Sequence, residues 1–237
     1  MICNTRVAAP DRKAVEPLIL VQEITHRVVN EYAQAITTLV LAAADAPCPD
    51  AQGALRQAAL RLQAFAEAHR VLQPLPSAGD VGLGDYLARV CAALVAASLH
   101  ERGVRLRLVC DDIALSPGRC WRMGMIVAEL VANSVSHGFG DGEGAILIEV
   151  RSSGGRFACR VSDNGAATSN PRRGRGSNIV EGLATELGGD VEWRFTPTGT
   201  CVLLTAPRGE PLLSVNLELS GDAGEFPKDT ADATPRT

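Results

Sequence analysis

Apolar residues recur at helical spacing through the first part of the chain. Leu18, Val21, Ile24, Val28, Tyr32, Ile36 and Leu39 follow steps of three and four, which predicts one long amphipathic helix over residues 16–46. The stretch "APCPD" stops it, because proline cannot continue the backbone hydrogen bonding, and Asp50 stands where a cap for the next helix belongs. That second helix carries Leu55, Leu60, Leu62, Phe65 and Val71 and is expected to end near Gln73, before "PLP". Two long helices joined by a short turn form an antiparallel hairpin that buries little by itself. Pairing with a second copy would complete a four-helix bundle.

After "PLPSAGDVGLG" the texture changes. "DYLARVCAALVAASL" reads as a helix, "GVRLRLVC" alternates as a strand does, and "GRCWRMGMIVAELVANSVSHGF" is a helix with apolar residues on most faces. "AILIEVR" and "RFACRVSD" are strands joined by the turn "SSGG". A helix in "SNIVEGLATELGG" precedes the strands "VEWRF" and "TCVLLTAP", which "TPTG" joins. The mixture predicts an α+β sandwich with helices on one face of a mostly antiparallel sheet. From about Arg208 onward there is at most a weak extra strand, then a polar tail unable to bury itself.

Composition narrows the functions. With 46% apolar residues in 237, real cores can form, so disorder of the whole is excluded. A net charge of -4 with interspersed signs lacks the basic footprint that nucleic acid requires. The N-terminus has charges and a proline where a signal peptide needs an apolar core, and the longest apolar runs fall well short of the ~20 residues that span a bilayer. A cytoplasmic protein without membrane insertion is expected. Seven cysteines from Cys3 to Cys201 include no CxxC pair, which argues against a disulfide framework and a zinc site. Trp121 and Trp193 are expected in the core.

Four clusters could carry chemistry. Glu129, Asn133 and His137 recur at intervals of four, along one stripe of a helix. Asp163 in "VSDNG" projects from a strand end into a turn. Gly174 and Gly176 lie just before a helix whose N-terminus, with Arg172, Arg173 and Arg175, favours an anion. Upstream, His26 stands one helical turn from Glu23 and from Asn30. Glu23 can orient one ring nitrogen of His26 so that the other presents its lone pair. Each has a plain alternative: a solvated helix face, ordinary loop chemistry, or, for Glu23, an ion pair with Arg27. His69 is expected to pack or cap within the bundle.

The order of the clusters resembles that of a known family. Residues 129–137 resemble the N box, "DNG" the G1 box and "GRG" the G2 box of the GHKL (Bergerat-type) ATP-binding domain of histidine kinases, and "ITHRVVNE" resembles the HRxxN phosphoacceptor box of their HisKA_2 and HWE group. The resemblance implies a dimerising phosphotransfer hairpin over residues 16–75, a GHKL catalytic domain over 80–207 and a flexible tail over 208–237. It implies that ATP phosphorylates His26, with Glu23 and Asn30 beside it. Asn133 would coordinate magnesium, Glu129 would polarise a metal-bound water or the nucleophile, and His137 would contact phosphate. Asp163 would accept the exocyclic amine of adenine, Gly165 would let the ring approach, and Gly174 and Gly176 would bracket the phosphates.

The chain also departs from the family pattern. Ala167 stands where relatives have a second glycine, only "AATSNPRR" separates Gly165 from Gly174, and the tryptophan signature of the HWE subgroup is absent. Ser177 occupies a position that is commonly apolar. The expected function is a soluble, sensor-less histidine kinase core that passes the phosphoryl group to a response-regulator receiver aspartate. A non-kinase histidine phosphotransferase, or a response-regulator phosphatase with a degenerate ATP site, is the alternative. A GHKL kinase of the anti-sigma-factor type would not need the hairpin.

Overall fold

The computed structural model describes residues 12–75, 79–139, 142–166 and 174–209, with residues 12–26 described by their backbone alone. The stretch containing Ala167, Arg172 and Arg173 and the predicted tail from residue 210 lie outside the described residues, as do the side chains of Glu23 and His26.

The two long helices are α1 (Arg12–Asp45) and α2 (Pro49–Val71), packed along one another. Proline suits the first position of a helix, where its missing N–H costs nothing. So α2 begins at Pro49, Cys48 takes the capping position, and Asp50 falls inside the first turn instead of capping it. There its carboxylate still meets the positive end of the helix. The helix ends at Val71, two residues earlier than the pattern predicts. Across the hairpin the rings of Tyr32 and His69 meet with centroids 5.6 Å apart, a packing role for that histidine.

The rest of the chain runs β1 (Val81–Gly82), α3 (Leu83–Leu94), β2 (Val104–Cys110), β3 (Ala114–Leu115), α4 (Pro117–Asn133), β4 (Gly144–Ser153), β5 (Arg156–Asp163), α5 (Arg175–Glu186), β6 (Asp190–Thr196) and β7 (Gly199–Pro207). Val95–Leu99 continues α3 with wider π winding, and Ser134–Gly138 does the same for α4. The β1–β3 pair is two residues long on each side, too short to leave a periodic signal in the sequence.

Five strands form the main sheet in the order β2-β4-β5-β7-β6. Only β2 and β4 are parallel. A parallel pair needs a crossover, and α4 supplies it. Along β4, Ile146, Ile148 and Val150 are buried while the residues between them are not, the period of two that a half-covered strand shows. They join Leu87, Met123, Ile126, Val161, Val180 and Leu204 in one core between sheet and helices. At the β4–β5 turn, Gly154 and Gly155 have φ of 56° and 77°, the left-handed pair that a tight hairpin requires. The sandwich is the expected one.

Six cysteines among the described residues are free. Burial pushes the thiols of Cys91 and Cys120 up to about 11 and that of Cys159 to about 12, so they pack as small neutral groups. On the outer face, the Asp111 carboxylate accepts the Ser152 N–H at 2.9 Å and Arg151 at 2.9 Å, and these bonds hold it below its ordinary range.

The hairpin joins the sandwich where α2 packs on α3 and its π-wound extension, with one bond from the start of α4. Trp121 Nε1 donates to the carbonyl of Leu72 at 2.8 Å, just past the end of α2, and the Tyr86 hydroxyl reaches Val71 O at 3.5 Å. Beside this seam lies a cavity of ≈ 260 Å³ lined by Arg70, Leu75, Tyr86 and Arg89 among others.

The chain's direction through the sheet decides where function can sit. Because α4 crosses over between parallel strands, its last turn arrives where β4 begins. In register, Ile146 near the start of β4 faces Asp163 at the end of β5, and antiparallel β7 starts at that same end. The N-terminus of α5 follows β5 and lies there too. Glu129, Asn133, Asp163 and Gly176, dispersed in sequence, are gathered at one end of the sheet by topology.

Candidate functional site

Asp163 is the best-defined group at this end. Its Oδ1 accepts the N–H of Gly165 at 3.0 Å and that of Thr200 at 3.1 Å, and its Oδ2 accepts the Ser134 hydroxyl at 2.7 Å. Hydrogen bonds to an ionised carboxylate are roughly twice as strong as neutral ones. The carboxylate is therefore fixed in plane and direction by strand β7, its own turn and the end of α4.

The turn after Asp163 is tied down on both sides. Asn164 accepts the Ala145 N–H through Oδ1 at 2.7 Å and donates its own N–H to Ala145 O at 3.3 Å. Ala166 N–H donates to Gly138 O at 2.8 Å. Gly165 is buried, and a Cβ there would lie 2.5 Å from the carbonyl carbon and oxygen of Gly138. The glycine is required by this backbone contact, a reason that the sequence alone does not supply.

Glu129 and Asn133 are half-buried on α4, one turn apart. A Cβ on Gly176 would meet Glu129 Oε2 at 3.0 Å and Asn133 Oδ1 at 3.2 Å, so the two side chains are neighbours beneath the first turn of α5. A carboxylate and a carboxamide oxygen side by side suit a hard divalent cation such as magnesium, which takes oxygen ligands and completes its shell with phosphates. Gly174 precedes α5, is exposed, and donates its N–H to Ser177 Oγ at 3.1 Å. Ser177 thus holds the helix entry.

α-Winding drifts about 40° over four residues, and the wider winding of Ser134–Gly138 takes up part of that drift. His137 thereby stays near the line of Glu129 and Asn133, with its side chain exposed. On the hairpin, Glu23 and His26 belong to α1, and Asn30 is exposed one turn further on. Two residues of the carboxylate's shell escape the sequence reading. Thr200 becomes a neighbour of Asp163 only once β7 pairs with β5. Ser134 offered a faint signal, a hydroxyl directly after Asn133 on a mostly apolar helix.

Two family models cover most of this architecture end to end. One described as histidine kinase matches residues 23–98, and one described as histidine kinase-like ATPase domain matches residues 94–206. The chain belongs to the histidine kinases of the HisKA_2 type. Blue-light-activated histidine kinase 2 of Erythrobacter litoralis (strain HTCC2594) is 27% identical over 216 residues, which cover 84% of this chain and 60% of that protein. The chain thus spans about three fifths of that relative's length. Among solved structures, the histidine kinase domain of the Erythrobacter litoralis EL346 blue-light activated kinase superposes with a TM-score of 0.54 at 19% identity, over 76% of this chain and 96% of that one. A bacterial phosphotransferase gives 0.57 at 9% identity, over 83% and 98%. At these identities the similarity is one of fold. Among the described residues, no helix is long and apolar enough to cross a membrane.

Proposed function

We propose that the chain is a histidine kinase core that phosphorylates His26 from ATP and transfers the phosphoryl group to a receiver-domain aspartate of a response regulator. The observation that carries the reading is the Asp163 carboxylate. Its Oδ1 is filled by two backbone amides and its Oδ2 is held by one hydroxyl, with acceptor capacity left over for a further donor. An exocyclic amine is such a donor. The ATPase-domain match over residues 94–206 supports a nucleotide as the ligand, and ShkA, of similar fold (TM-score 0.50, 19% identity), has been solved in complex with AMPPNP.

In this reading Asp163 orients the base, and Glu129 and Asn133 face the phosphates. Magnesium, held through Asn133, would neutralise charge on the transferring phosphoryl group. Gly176 leaves the first turn of α5 free of a side chain that would crowd these ligands, and His137 reaches outward to phosphate. Gly174 brackets the phosphates, and the helix N-terminus adds backbone donors. One ring nitrogen of His26 attacks the γ-phosphorus with its lone pair. The bond from phosphorus to the bridging oxygen breaks, and ADP departs with that electron pair. Glu23 takes the proton from the other ring nitrogen, and Asn30 flanks the reacting ring.

The hairpin of residues 16–75 would supply both dimerisation and the phosphoacceptor, and residues 80–207 the donor site. A homodimer follows from the exposed Val40, Leu41, Leu60 and Phe65 of α1 and α2, which a second hairpin would cover. A histidine phosphotransferase is the second reading. It is favoured by the engagement of the Gly174 N–H with Ser177, which leaves one backbone donor fewer for a phosphate.

The two readings part on one assay. The purified chain is incubated with γ-labelled ATP and magnesium beside His26→Ala and Asn133→Ala variants. A kinase takes up acid-labile label that both substitutions abolish. Label accepted on His26 only from a phosphorylated receiver, and never from ATP, would reverse the order of the two readings.

A further inference from the structure

We infer that Ser134 is the positioning residue for base recognition: its hydroxyl aims the Asp163 carboxylate and thereby sets the preference for a purine that carries an exocyclic amine. The inference rests on reading the Asp163 end of the sheet as the nucleotide pocket.

Ser134 is buried, directly follows the metal-facing Asn133, and opens the π-wound turn at the end of α4. Its hydroxyl has one proton and two acceptors within reach, Asp163 Oδ2 at 2.7 Å and Leu130 O at 3.2 Å. The shorter bond goes to the charged acceptor, and such bonds are about twice as strong as bonds between neutral groups. The proton therefore belongs to Asp163. Backbone amides pin Oδ1 from two sides, so rotation about the carboxylate's own axis is resisted at Oδ2 by Ser134.

The π-wound turn is fastened to the Asp163 turn at both ends. Ser134 holds one end through its hydroxyl, and Gly138 holds the other by accepting the Ala166 N–H at 2.8 Å and lying against Gly165. An ionised carboxylate can only accept, so a donor amine on the base is matched and an oxygen at that place is repelled. How strongly it discriminates depends on the direction of Oδ2. Ser134 sets that direction without touching the base.

The test compares two nucleotides that differ only in the amine. Calorimetric titration of the full chain and of Ser134→Ala is carried out with magnesium and either ADP or purine riboside diphosphate, which lacks the exocyclic amine. The expected result is an affinity for ADP that falls about tenfold in the variant, the order of one charge-assisted hydrogen bond, while affinity for the purine riboside diphosphate stays the same. An equal loss for both nucleotides would make Ser134 a packing residue and overturn the inference. So would an unchanged ADP affinity. Failure of the unaltered chain to bind either nucleotide would instead bring down the pocket reading, and the inference with it.

Discussion

The hairpin is proportionally at least as rich in apolar residues as the sandwich, and the two use them in opposite ways. In the sandwich, Leu83, Leu87, Met123, Ile126 and Ile148 are all 0% exposed, and the large side chains are used up by the fold itself. Among the hairpin's described side chains the buried ones are Ala43, Ala59, Ala66 and Ala68, while Val40, Leu41 and Leu60 stand 52%, 61% and 57% exposed. Burying a Leu fully is worth about 1.5–3 kcal/mol, so covering these side chains would add stability that the hairpin alone does not gain. One region has buried its large apolar side chains, and the other leaves several of them on its surface. A kinase core needs that division: a nucleotide site must keep its geometry alone, whereas a phosphoacceptor must be presented on a surface that assembly completes.

The sharpest way to break the comparison is at Leu41 and Leu60. Replacing both with Glu is expected to turn a dimer into a monomer in sedimentation at micromolar concentration while ADP binding by the sandwich persists. Loss of nucleotide binding in the monomer would mean that the regions do not stand apart. Next in size, Ile148→Ala removes a fully buried side chain from β4 and is expected to cost 2–5 kcal/mol in denaturant unfolding of the sandwich, without altering the sedimenting mass. A fall in mass with that variant would place part of the dimer contact in the sandwich.

The smallest effect belongs to Asp111. The Ser152 N–H and Arg151 lower its pKa in the folded state, so its contribution is present above the unfolded pKa and is lost as pH falls through the folded one. Asp111→Asn is expected to flatten that part of the acid-unfolding profile through a small loss of stability at neutral pH that disappears in acid. A steep loss at pH 7 would show that the outer-face bond carries more of the fold than its exposure suggests.

Much of this was legible in the chain. Strands β4 and β5 announced themselves by alternation and by the Gly154–Gly155 turn, and α1 by its steps of three and four. Asp50 was misread as a cap because two residue types compete near a helix start, and proline at the first position decided the boundary. The wider winding at Ser134 left no mark in periodicity, since the same apolar residues serve both windings. In the candidate site, Glu129, Asn133 and Asp163 are singled out by type and spacing. Thr200 and Gly138 were not, because their relation to Asp163 is one of sheet register and backbone contact.

The central claim is that His26 receives the phosphoryl group from a nucleotide held at the Asp163 end of the sheet. Mapping the modified residue tests it most directly. The chain is incubated with ATP and magnesium, digested with trypsin at neutral to basic pH, and the peptide of residues 14–27 is sequenced by mass spectrometry. One acid-labile phosphoryl group on His26, absent from an Asp163→Asn variant, is the expected result. Phosphorylation on another residue, or an unmodified His26 in a chain that binds and hydrolyses ATP, would contradict the account.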